Sequence, residues 1–149
     1  MTTRELPVLG QLKQAEKSLI WNLIHNTKEA IAVLDTLEAE DLSLLAAREV
    51  FEVAQSLKDT PVEGLPSTLL QRLSTVNAQL VTGIAATAFS PAPPLECVQA
   101  LRRLRWDRER AALQREINRL QELGAADGAE IDALWQKKKD LLHRIEQLT

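Results

Sequence analysis

Three prolines fall within four residues in the stretch "SPAPP", residues 90–94. Proline lacks the amide proton a helix needs and clashes with the turn before it, so no helix runs through this stretch and it reads as an extended linker. Helical periodicity fills the chain on both sides and no strand is required. The fold expected is therefore all-α, with a helical bundle over residues 1–90 and a second helical part over residues 91–149.

Before the linker the spacing predicts five helices. Leu12, Ala15, Leu19 and Leu23, with Ile20 and Ile24 beside them, give one apolar face to a helix over 11–25. Asn26 with Glu29 has a capping spacing for a short second helix through Ile31, Leu34 and Leu37. A third is expected from Ser43, where Ala46, Val50, Val53 and Leu57 share a side with Phe51 and Ala54; it stops at "KDTPVEGLP". Thr68 with Gln71 suggests the start of a fourth, through Leu69, Leu70 and Leu73, and a fifth follows Val76, Leu80, Ile84 and Ala88. The acidic run at 38–42 resets the chain, with Asp41 as a capping residue.

After the linker a long helix is expected over 95–123, then a turn at "GAADG" and a return helix over 128–148. Gly124 suits a left-handed helix end, and Asp127 with Glu130 a capping box. So short a turn makes the helices antiparallel neighbours. Ile131, Leu134, Lys138, Leu141, Ile145 and Leu148 alternate spacings of three and four, a coiled-coil-like seam matched by Trp106, Leu113, Ile117 and Leu120. At 1.5 Å per residue the two helices are about 44 and 30 Å long, so the outgoing one has an excess at its start. Leu95, Val98, Leu101 and Leu104 are apolar there and are expected to lie on the bundle, the hairpin forming an arm. Trp135 and Leu142, seven residues apart and flanked by Lys139 and Glu146, make a second stripe that either widens the hairpin core or faces a partner.

Seven arginines between 101 and 123 raise the possibility of a nucleic-acid surface. The seam, however, sends Arg102, Arg108, Arg115 and Arg119 outward, with Glu109, Glu116 and Glu122 among them at pairing distance. Lysines plus arginines number 18 against 21 acids, a net charge of −3, and aromatics make up only 3%. Neither strong direct nucleic-acid binding nor attraction to an anionic membrane is expected. Lys138, on the seam, should reach Glu109 or Glu116.

No apolar run is long enough to span a bilayer, and "MTTRELPVLG" is not a secretion signal. Cys97 is the single cysteine, so a reduced, cytoplasmic protein with Cys97 as a small packed residue is expected. There is no Gly-rich phosphate loop, nucleophile elbow or His/Cys/carboxylate cluster. His25 and His143 lie in different parts of the chain and read as helix or cap residues. No catalytic residue, metal ligand or cofactor is expected.

The order of parts resembles the C-terminal helicase-binding domain of bacterial DnaG-type primase. The resemblance is carried by "QAEKSLIWNLIHN" (14–26), "LEAEDLSLLAAREVFEVAQSL" (37–57) and "ECVQALRRLRWDRERAALQREINRLQ" (96–121). Leu42 and Ala47 stand where that family more often has Phe and His. The resemblance implies a non-catalytic domain that docks primase onto the N-terminal domains of the hexameric replicative helicase of DnaB type and modulates it. It also implies that the zinc and polymerase parts of a primase lie outside this chain. Trp135, Lys139, Leu142 and Glu146 are the residues assigned to that contact. The bundle is similar as well to the N-terminal collar domain of the helicase itself; a helicase chain would continue into a nucleotide-binding motor, which favours the primase reading. A homodimeric coiled-coil adaptor is a further alternative.

Overall fold

The computed structural model describes residues 12–88, 90–124 and 128–148, and among them every regular element is a helix. They are α1 (Gln14–His25), α2 (Thr27–Leu34), α3 (Ala39–Leu42), α4 (Arg48–Ser56), α5 (Leu65–Arg72), α6 (Thr75–Ala86), α7 (Pro94–Glu122) and α8 (Gly128–Gln147). The chain divides into two compact units, Met1–Leu101 and Arg102–Thr149.

In the first unit five helices close a circuit. α1 packs on α2 and α6, α2 on α4, α4 on α5, and α5 back on α6, while α3 is a single turn against α4. Leu19, Ile20 and Leu23 of α1, Leu34 of α2, Val50, Phe51 and Ala54 of α4, Leu69 of α5 and Val81 of α6 are completely buried inside it. The expected five-helix bundle is this circuit; α3 adds one turn that the spacing did not predict. Cys97, Val98 and Leu101, from the first turns of α7, are buried in the same unit, whereas Leu95 is 53% exposed. Burial also pushes the Cys97 thiol up to about 11, so it stays a packed, protonated thiol at neutral pH.

Three helix ends of the bundle are met by side chains from other helices. α1, α2, α4 and α5 have no side-chain cap from their own N-cap residues. Instead the Ala47 amide, at the start of α4, donates to Glu16 of α1 (3.1 Å). Glu49 of α4 accepts from the Ser74 amide at the start of α6 (3.2 Å) and from Asn77 Nδ2 (2.9 Å). Gln55 Nε2 donates to the Leu34 and Leu37 carbonyls at the end of α2 (3.0 Å each). These contacts satisfy backbone groups that every helix terminus leaves open, and carboxylates at N-termini are also favoured by the helix dipole.

Three local expectations change, the first being that the helix expected from Ser43 starts at Arg48. Asn26 precedes α2 but does not cap it, because its amide donates to Asn22 Oδ1 (2.8 Å). α5 starts at Leu65 rather than near Thr68: Pro66 sits in its first turn, where no amide proton is needed, and Thr68 Oγ1 bonds back to the Gly64 carbonyl. Ser74 caps α6 by accepting from the Asn77 amide (3.3 Å). Asp41 does act in a cap, accepting from the Glu38 amide (2.9 Å) in a reciprocal box at α3.

Glu16 is 1% exposed, and its second oxygen has no hydrogen-bond partner. Burial raises its carboxyl above the usual range, an effect partly offset by the Ala47, Lys13 and Ala46 amides and the Lys13 charge. A carboxyl raised in the folded state binds its proton more tightly folded than unfolded. Its contribution to stability is therefore present below the ordinary carboxyl value and is lost as pH rises through the folded one. Glu16→Gln should gain thermal midpoint relative to wild type between pH 4 and pH 7. Melting both proteins across that range checks it; parallel curves would show Glu16 to be unstrained.

Candidate functional site

The second unit is the helical hairpin made by α7 from Arg102 onward and by α8. Gly124 follows α7 with a φ of 62°, the left-handed conformation that ends a helix at low cost when the residue has no Cβ. Asp127, expected to cap α8, lies outside the described residues. Ile117, Leu120 and Leu141 are the buried centre, and the remaining seam residues Trp106, Leu113, Ile131, Leu134, Lys138, Ile145 and Leu148 are half-buried.

The seam leaves two flanks on α8, which differ in chemistry. On one, Trp135 is 39% and Leu142 37% exposed, and Lys139 and Glu146 are exposed beside them. Lys138 Nζ lies over the Trp135 ring, 4.7 Å from its centroid, and donates to Gln114 of α7. Lys138 thus does not reach Glu109 or Glu116 as the seam spacing suggested. It leans toward the Trp135 flank, where Gln114 faces it, whereas Glu109 pairs with Arg105 (3.0 Å) and Glu116 with Arg119.

The other flank carries a groove of about 480 Å³ lined by Glu109, Ala112, Leu113, Lys137, Asp140, Leu141 and Arg144. Its floor is aliphatic, and its rim carries two acids and two bases. Sequence reading passed over this flank, although Lys137, Asp140, Leu141 and Arg144 recur at the helical spacing that would have marked it.

The arginines are less uniformly outward than expected. Arg115 and Arg119 are exposed, but Arg102 and Arg108 are half-buried. Arg105, Arg110 and Arg119 each pair with an acid three or four residues away on α7. Glu116, hydrogen-bonded by both Nε and Nη2 of Arg119, is held below the usual carboxylate range. His25 contacts the Ala85 carbonyl (2.9 Å) and stacks on Trp21, and His143 contacts Gln147. Among the described residues no group of three His, Cys, Asp or Glu could hold a metal, and no helix is long and apolar enough to cross a membrane.

A family model, the DnaB-like helicase N terminal domain, matches residues 9–90, more than half of the chain, and spans α1 to α6. No curated protein and no solved structure matches. The match overturns the primase reading and, with it, the role of docking primase onto the helicase. The feature used to separate the two families, a chain that stops before a motor, carries no information about the bundle. The residues of the bundle itself decide the question: the chain belongs to the family of DnaB-like helicase N-terminal domains.

Proposed function

We propose that the chain is a protein-interaction module of a DnaB-like helicase assembly, its bundle serving as a collar-type N-terminal domain and its hairpin as the part through which modules meet. The observation that supports this most is the family match, which coincides with the closed circuit of α1 to α6. The hairpin adds to it. Its seam is buried only at its centre, one flank shows Trp135 and Leu142, and the other offers a groove whose charges are of both signs. A patch carrying both signs around an apolar floor suits a partner patterned like itself, which is the requirement of a two-fold contact.

Sedimentation of the chain alone, and its calorimetric titration with the N-terminal domain of a DnaB-type helicase, test the proposal. A dimeric or larger mass, or a heat of binding to that domain, is expected. A monomer at tens of micromolar that gives no heat would overturn it.

In this reading Trp135, Lys139, Leu142 and Glu146 form the contact. Trp135→Ala with Leu142→Ala should weaken association at least about tenfold, given the about 2 kcal/mol that a single interface aromatic contributes. Helix content should not change, since neither residue is among the buried ones. Unaltered association would move the contact to the opposite flank.

A further inference from the structure

Besides Glu16, α1 buries two polar side chains, Ser18 and Asn22, each 1% exposed. They lie one helical turn apart, and both are directed at one residue of the proline-rich connection. Ser18 Oγ accepts from the Ala92 amide (3.2 Å), and Asn22 Nδ2 donates to the Ala92 carbonyl (3.0 Å). The Ala92 amide is the only main-chain donor between Pro91 and Pro94, since proline has none. Asn22 is fixed in turn, its Nδ2 also donating to the Ser18 carbonyl (2.8 Å) and its Oδ1 accepting from Asn26. From the other side the Cys97 thiol donates to the same Ala92 carbonyl (3.6 Å).

We propose that Ser18 and Asn22 form a latch that seats the connection at Ala92 on α1, and that this latch opens as a local event separate from unfolding of the bundle. Three observations carry it. The prolines deny the connection any ladder of neighbouring hydrogen bonds, so its hydrogen bonds to α1 are made at Ala92. The circuit of helices closes through the α6–α1 contact without help from the connection. The latch bonds are polar and can be exchanged for water, unlike the apolar contacts of Leu19, Ile20 and Leu23 beside them. The family match stops at residue 90, so the latched residue lies just beyond it, on the path to α7. With the latch open, Ala92 loses its polar hold on α1 while the apolar burial of Cys97, Val98 and Leu101 remains, so the opening is confined to the connection.

Amide hydrogen exchange of the full 149-residue chain, followed residue by residue by NMR over low denaturant concentrations, tests the latch. The Ala92 amide should be protected, but less than those of Phe51 and Leu69, and its exchange should depend only weakly on denaturant, as for a local opening. Ser18→Ala, and separately Asn22→Leu, which keeps the volume, should each lower Ala92 protection by about tenfold while shifting Phe51 and Leu69 by less than about threefold. An unprotected Ala92 amide in the wild-type chain would overturn the proposal. So would protection unchanged in both variants, or a fall shared equally by Ala92, Phe51 and Leu69.

Discussion

A Phe51→Ala variant is expected to lose about 3 to 5 kcal/mol of bundle stability, the largest loss from any single truncation in the chain. Phe51 is the largest of the fully buried side chains, on α4, the helix that packs against α2, α3 and α5. Removing its ring forfeits the transfer of an aromatic side chain from water and leaves a cavity that three neighbouring helices cannot collapse together. For a unit of this size the thermal midpoint should fall by about 15 °C or more. Circular dichroism melts of the variant and wild type measure it, and a shift of only a few degrees would place Phe51 outside the cooperative core.

The second large effect is expected in the hairpin. Ile117 is completely buried, and only Leu120 and Leu141 among the described residues of that unit approach it. Ile117→Ala should cost about 2 to 5 kcal/mol. With so few buried residues the hairpin has little margin, so its amides from residue 102 onward should lose most of their exchange protection. The bundle, with its own core, should keep its protection. The contrast with the Trp135 and Leu142 double truncation is the informative part: that change should reduce association and leave hairpin protection intact. Retained protection in Ile117→Ala would mean that the seam is not what holds α7 to α8.

Periodic features of the fold were legible in the sequence. The all-α class, the antiparallel hairpin, the left-handed Gly124 and the cap made by Asp41 each depend on residues a few positions apart. Features that depend on distant partners were not. Glu16, Glu49 and Gln55 meet helix ends 31, 25 and 18 to 21 residues away, and Ser18 and Asn22 meet Ala92 at separations of 74 and 70. No spacing along a single helix announces such contacts. Pro66 misled for a local reason, since a proline that breaks a helix interior is well placed in a first turn. On the hairpin, the seam positions were readable, but which flank Lys138 would lean to depended on Gln114, on the opposite helix. The family assignment failed at another level: it leaned on the order of bundle and hairpin, whereas the match rests on the residues of the bundle, 9–90.

Caps supplied across the bundle also bear on how the chain reaches this structure. α4 has nine residues and α1 twelve, short of the length at which an isolated helix holds in water, and neither carries its own N-terminal cap. Until Glu16 meets Ala47 and Glu49 meets Ser74, the starts of α4 and α6 lack those partners. Each meeting requires closure of a loop of some tens of residues, with its entropic cost falling before the reward. The start of α4 therefore gains its cap only with tertiary structure, and a fragment that begins after Glu16 keeps the α4 sequence without the carboxylate that meets the Ala47 amide.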